Sequence, residues 1–405
     1  MELLTLFGQF VGLAAVIVFA GSFMTKAADV IGEKSGLGSS LAGLVLLAAA
    51  TSLPEFAINV NAVQLPDYTN GVDLAMGNIL GSSLFNLLIL GIIDLAFRSK
   101  QRMFSSVSAA HALSALGSIA LTSILLLFLI LRKQPLDFPL SVAHIGFGSI
   151  AVGLFYCFSL RLIYLDQQVA AQLEAPLVEE AIEEKMSLTR AVITYLVATV
   201  VIFVAARYLS IVADRVAVVT GLGGTFVGST FLALTTSLPE LVTTIVAVRM
   251  GAADMAIGNI LGSNAFNIAI LLPVDAFYTR GALLQDASIV HAFTAAAVIF
   301  VTCVATMGIL YRAEKRFWLV EPDALLVVVL VLASLWMIYR LTNSELQPED
   351  AKAAPSTAET SLWKHAVPSV IDREKRVERR FAKLGGVIEP AIAIQLANGR
   401  HLAFA

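Results

Sequence analysis

The chain has 405 residues, of which 58% are hydrophobic and 14% charged, with a mean hydropathy of +0.83 and a formal net charge of −3. A typical soluble chain is about 45–50% apolar and ~25% charged. This one has too few polar groups to cover a globular surface, which excludes soluble enzymes and nucleic-acid-binding proteins and points to an integral membrane protein.

Spanning helices need roughly 20 apolar residues each. In chain order, such runs predict ten, at about 6–30, 38–63, 73–97, 104–131, 139–164, 189–212, 222–249, 254–278, 286–311 and 320–341. The runs are continuous and lack dyad alternation, so the expected fold class is all-α rather than a barrel. The first basic residue is Lys26, so the first run is expected to be a span and not a cleaved signal peptide. Cys157 and Cys303 lie in apolar runs and are expected to be free thiols. With the N-terminus outside, the inner connections hold eleven Lys/Arg and the outer ones four, which predicts N- and C-termini outside.

The connection at 165–188 is acidic: Asp166, Glu174, Glu179, Glu180, Glu183 and Glu184 precede its first Lys or Arg. It reads as a solvated linker; a cation-sensing loop is the other reading, without an EF-hand pattern. Residues 343–405 carry nine Lys/Arg and eight Asp/Glu and form a polar tail, with Pro355, Ser356 and Thr357 as linker and a polar helix over Asp372–Leu384.

The chain is written twice. Shifted by 185, Asp29–Val63 lies over Asp214–Val248 with 14 of 35 residues identical; shifted by 181, Asp73–Asp94 lies over Asp254–Asp275 with 13 of 22 identical. His111 and His291 fall near the same register. The expected organisation is a first five-helix repeat at 1–164 (motif 40–97), the linker, and a second at 189–342 (motif 221–278). Five spans is an odd number, so the second half enters the membrane inverted, as in many secondary transporters.

Identity peaks at Thr51-Ser52-Leu53-Pro54-Glu55 with Thr236-Ser237-Leu238-Pro239-Glu240. It peaks again at Asn78, Ser82 and Asn86 with Asn259, Ser263 and Asn267, among the glycines 77, 81, 258 and 262. A charge at mid-bilayer costs ~2.5–3.5 kcal/mol on insertion scales. No Lys or Arg lies deep enough in a span to pair with the two glutamates, which leaves a bound cation or proton. Thr51 and Ser52 share a helical face with Glu55. Pro54 and Pro239 free the carbonyls of Ala50 and Thr235 from the helix ladder, and such carbonyls need partners in hydrocarbon. The four-apart Asn/Ser positions form a polar stripe, and the glycines permit close helix approach. Carboxylates, amides, hydroxyls and carbonyls are an all-oxygen set, suited to hard cations. Two carboxylates match one Ca²⁺ or two or more monovalent ions, and a site that resists crossing empty is the electrostatic requirement of an antiporter.

At these residues the sequence resembles the cation/Ca²⁺ antiporter superfamily, which includes the sodium/calcium exchangers, over most of residues 1–342. The resemblance implies ten helices in two inverted five-helix repeats. It implies a central divalent site at Glu55 and Glu240, completed by Asn86 and Asn267, and flanking monovalent sites at Thr51, Ser52, Thr236 and Ser237. It further implies partner-helix ligands at Ser82 and Ser263 and lining carbonyls at Ala48 and Ala233, with the first and sixth helices sliding against the rest. Three departures stand out. Some relatives carry Asp where this chain has Asn267, many have Gly where Ala50 and Thr235 stand, and the proton-coupled branch usually has an acidic residue inside the Gly-Asn motif that is missing here. Ca²⁺ exchange for Na⁺ is therefore expected, in the plasma (inner) membrane of a prokaryote, with lipid as surroundings and no cofactor, obligate protein partner or enzymatic activity. H⁺-coupled Ca²⁺ or Mn²⁺ exchange, a cation channel and a non-transporting sensor are the alternatives.

Overall fold

The computed structural model describes residues 2–65, 68–96, 109–132, 141–173, 186–220, 234–311 and 322–345. Two units divide the chain, Met1–Thr342 and Asn343–Ala405. The second is described only through Glu345, so the polar tail, the acidic segment 174–185 and Ala233 lie outside the described residues.

Among the described residues, eight helices are long and apolar enough to cross a membrane, or nine if one bent pair counts as a single span. They make the protein a multi-pass integral membrane protein. The expected span at 222–249 is described only from Leu234 onward.

The first helix, α1, runs Glu2–Ser35, roughly 50 Å at the α-helical rise. Gly36 at φ +75° ends it, a left-handed position glycine adopts without a Cβ clash. The second span is broken. It comprises α2 (Gly38–Leu41), a π-helical segment (Ala42–Leu47), α3 (Ala48–Thr51) and α4 (Leu53–Val63), bent by 41° at Ser52. There follow α5 (Tyr68–Ala96), α6 (Ala109–Leu131), a two-residue hairpin of β1 (Ser141–Val142) and β2 (Ile145–Gly146), and α7 (Phe147–Leu173). The fifth span thus begins at Phe147, not 139, and its helix extends into the stretch read as linker. Next come α8 (Leu188–Thr220), α9 (Leu238–Arg249), α10 (Ala253–Ala269), α11 (Leu271–Phe277), α12 (Leu283–Asp286), α13 (Val290–Tyr311) and α14 (Pro322–Glu345). The break after α10 follows from Pro273, which has no N–H to offer the Ala269 carbonyl.

Burial locates the centre. The most apolar window of α10–α11 is 89% buried and that of α5 is 72% buried, whereas that of α1 is 17% buried. Around α5 and α10 pack α6, α13 and the two glutamate-bearing helices, α4 and α9. Helices α1 and α8 lie along each other as a long pair, with Ile17 of α1 packed into the cluster of Ala205, Ala206, Leu209 and Val242. Lys26 of α1 and Arg207 of α8 are exposed and do not turn inward. The α10 face meets α2 and the π segment so closely that a Cβ on Gly258 would lie 2.7 Å from the Ser40 carbonyl oxygen, and one on Gly262 would clash with that of Leu44.

Polar pins hold the helix ends. Asp275 accepts from the Gly146 N–H at 2.9 Å, the Ser149 hydroxyl at 2.5 Å and the Leu283 N–H at 2.8 Å, tying the hairpin to the α11–α12 turn. His111 at the start of α6 meets Asp254 at the start of α10, Nε2 to Oδ1 at 3.0 Å. His291 at the start of α13 meets Asp73 near the start of α5 at 3.1 Å. Each pair joins the first half of the chain to the second. Cys157 and Cys303 are both free thiols.

Candidate ion-binding site

The site forms where α3–α4 and the turn before α9 meet α5 and α10. The sequence breaks each glutamate helix in the same way. Ser52 (φ −89°, ψ 3°) and Ser237 (φ −81°, ψ 6°) leave the helical region, and Pro54 and Pro239 sit in the first turn of the helix that follows, where a missing N–H costs nothing. The bend thus falls at the serines, two residues before each proline. Glu55 and Glu240 lie in those first turns with fully buried side chains.

Sequence-predicted residues from both halves converge here. Thr51, Ser52, Glu55, Ser82, Asn86, Thr236, Glu240, Ser263 and Asn267 are all 0% exposed, and Ser237 and Ala48 are 1% exposed. Contacts cross between the halves. The Ser52 hydroxyl donates to Glu240 Oε1 at 3.1 Å, the Thr51 and Ser263 hydroxyls are 3.4 Å apart, and those of Ser82 and Thr236 are 3.5 Å apart. The Ala48 carbonyl accepts the Ser52 N–H at 3.1 Å and the Thr51 hydroxyl at 3.3 Å, so here it serves the bend.

The site is short of partners. Among the described residues, both carboxyl oxygens of Glu55, Glu240 Oε2, the Ser237 hydroxyl, and the amide oxygen and nitrogen of both Asn86 and Asn267 are buried without a hydrogen bond of ordinary geometry. Leaving such a group unsatisfied costs about 1–3 kcal/mol, more when charged. Buried polar groups in a native protein are otherwise nearly always paired. The unpaired oxygens fit a hard cation, which takes several carboxylate, carbonyl or hydroxyl oxygens at once.

Three residues escaped the sequence reading. Asn59 accepts from Asn78 Nδ2 at 2.9 Å, and Thr243 and Thr244 each accept from Asn259 Nδ2 at 2.9 Å. Their signal is position: Asn59 and Thr244 stand four residues after the glutamates, on the same helical face.

Paired carboxylates buried among apolar helices and contributed by both halves of one chain make this an integral membrane protein with a polar site inside its helix bundle. The chain belongs to the family described as "Sodium/calcium exchanger protein", whose profile matches residues 5–164 and 190–344. It is 30% identical to the inner membrane protein YrbG of Escherichia coli strain K12 over 270 residues, covering 66% of this chain and 78% of that one. It is 24% identical to the sodium/calcium exchanger MaX1 of Methanosarcina acetivorans over 337 residues, covering 76% and 92%. Among solved structures, the sodium-calcium exchanger NCX_Mj soaked with 100 mM Na⁺ and 10 mM Sr²⁺ superposes with a TM-score of 0.60 at 17% identity, covering 82% of this chain and 98% of that one. That likeness establishes a shared fold.

Proposed function

We propose that the protein is a secondary active antiporter that exchanges Ca²⁺ for Na⁺ by alternating access. The observation that carries the reading is the pair Glu55 and Glu240, buried from opposite halves with three of four carboxyl oxygens unpartnered among the described residues. In this reading Glu55, Glu240, Asn86 and Asn267 hold the divalent ion. Thr51, Ser52, Thr236, Ser237, Ser82, Ser263 and the carbonyls of Ala48 and Ala233 line the flanking monovalent sites. The two negative charges are neutralised by one Ca²⁺ or by two or more monovalent ions, and an unneutralised pair opposes reorientation through hydrocarbon.

The full architecture belongs to the same proposal: ten spans in two inverted five-helix repeats, 1–164 and 189–342, with N- and C-termini outside. The reciprocal pairs His111–Asp254 and His291–Asp73 support it. In a chain whose consecutive helices cross back and forth, Asp73 and His111 fall at opposite membrane faces, as do Asp254 and His291. Each half therefore meets the other head to tail. The α1–α8 pair is the element that slides. Sodium/calcium exchanger names among the relatives, MaX1 included, support Na⁺ as the counter-ion.

The test is uptake of radiolabelled Ca²⁺ into proteoliposomes loaded with Na⁺, against K⁺-loaded and pH-jump controls. Uptake is expected only with internal Na⁺, and not in Glu55→Gln or Glu240→Gln protein that still inserts and purifies. Uptake driven by the pH gradient alone would move the coupling to H⁺. Uptake indifferent to every counter-ion would turn the reading to a channel, and near-normal transport by both glutamine variants would overturn the site.

A further inference from the structure

Behind each glutamate a second polar contact ties the glutamate helix to its neighbour, and the two contacts are unequal. In the second half, Asn259 of α10 is fully buried, and its Nδ2 lies 2.9 Å from both the Thr243 and Thr244 hydroxyls and 3.4 Å from the backbone carbonyl of Glu240 itself. Thr243 passes the tie on, donating to the Pro239 carbonyl at 2.8 Å. The turn that carries Glu240 is thus fastened to α10 at consecutive residues.

Its counterpart in the first half is looser. Among the described residues, Asn78 of α5, equivalent to Asn259, donates only to Asn59 Oδ1, at 2.9 Å and four residues beyond Glu55. Asn59 Nδ2 has no partner among the described residues, and Asn78 Oδ1 and its counterpart Asn259 Oδ1 are alike in lacking one there. The asymmetry continues in the serines, since the Ser52 hydroxyl donates to Glu240 while that of Ser237, its equivalent, has no hydrogen-bond partner among the described residues.

We infer that Asn259 is a positioning residue that presets Glu240 as the fixed carboxylate of the cation site, while Glu55, whose helix is tied to α5 through the single Asn78–Asn59 bond, is the carboxylate that moves to close on the ion. The inference rests on the exchanger reading above. Its physical basis is preorganisation. A ligand held in place by neutral hydrogen bonds loses less freedom when the cation arrives, so the binding site keeps more of its gross interaction. Removing the tie raises the cost of assembling the site and leaves the step that follows binding unchanged.

The experiment measures half-saturating Ca²⁺ and maximal rate separately, in proteoliposomes, for Asn259→Ala, Thr244→Val and Asn78→Ala, with melting of each purified protein as a check on folding. Loss of one or two neutral hydrogen bonds corresponds to about a tenfold rise in half-saturating Ca²⁺ for Asn259→Ala. A smaller rise is expected for Thr244→Val, which keeps the shape and removes one acceptor, and the least for Asn78→Ala. Maximal rate stays within about twofold throughout, because uniform binding is lost without a change in the later step. Equal shifts in Asn259→Ala and Asn78→Ala, or a fall in maximal rate at constant half-saturation, would overturn the assignment. Should Asn259→Ala fail to fold, Thr244→Val decides alone: an unchanged half-saturation refutes the positioning role. Glu240→Gln separates the two levels. If it is inactive while Asn259→Ala is silent, the site stands and the positioning role falls; if it transports normally, both fall.

Discussion

Gly77 and Gly258 occupy equivalent places in the two copies of the motif, yet their surroundings predict opposite responses to alanine. A Cβ on Gly258 would lie 2.7 Å from the Ser40 carbonyl oxygen and 3.0 Å from the Leu44 amide nitrogen, both backbone atoms of the broken second span. A Cβ on Gly77 meets only the His291 ring carbon, at 3.8 Å. To relieve the first contact, α10 and the π segment must separate by about 0.5–1 Å, an overpacking strain of about 1–3 kcal/mol. The second substitution is free of that strain and gains helix propensity, up to about 1 kcal/mol over glycine. Gly258→Ala should therefore lower the melting temperature of the purified protein by several degrees, and Gly77→Ala should leave it unchanged or raise it. The π segment leads through the single turn of α3 to Thr51 and Ser52, so Gly258→Ala should also weaken Ca²⁺ protection against melting. Equal melting temperatures for the two variants would refute the close approach of α10 to the π segment on which this reasoning depends.

A second contrast concerns the hydroxyls at the bends. Ser52→Ala removes a hydrogen bond to a carboxylate, worth about 1.5–3 kcal/mol, and should raise half-saturating Ca²⁺ roughly ten- to hundredfold; Ser237→Ala, whose hydroxyl has no partner, should cost less. Equal effects would count against the asymmetry. At the far end of α11, Asp275→Ala leaves the Gly146 and Leu283 N–H groups without their acceptor, a loss of about 1–3 kcal/mol for each group that stays buried. It should appear as a lower melting temperature, with the counter-ion dependence of transport unaltered.

Much of the site was legible because its residues violate their surroundings. Two glutamates and two Asn/Ser stripes stand in apolar helices, and their duplication aligned them without a structure. The bend was legible from Pro54 and Pro239, although it falls at Ser52 and Ser237. Proline tolerates the first turn of a helix, so the backbone breaks before it. The π segment was not legible. Ala42–Leu47 carries no proline or polar signal, and its conformation accompanies tertiary packing of Gly43 against Met255 and of Leu44 against Gly262. The hairpin before α7 was missed because Ser141–Gly146 reads as part of an apolar run, while the Asp275 carboxylate that holds it lies 129 residues downstream. The inequality of the halves was hidden for a related reason. Thr51-Ser52 and Thr236-Ser237 are identical in sequence, and only the three-dimensional neighbours separate the bonded Ser52 from the unbonded Ser237.

The reciprocal pairs at the helix ends bear on how such a chain assembles. His111 meets an aspartate 143 residues later, and Asp73 meets a histidine 218 residues later. The first half leaves the ribosome with one acid and one base whose counterparts have yet to be made. The second half supplies the same two groups in exchange, so one half's histidine grips the other's aspartate and the reverse. That is the contact pattern of a two-fold dimer interface, enclosed within a single polypeptide.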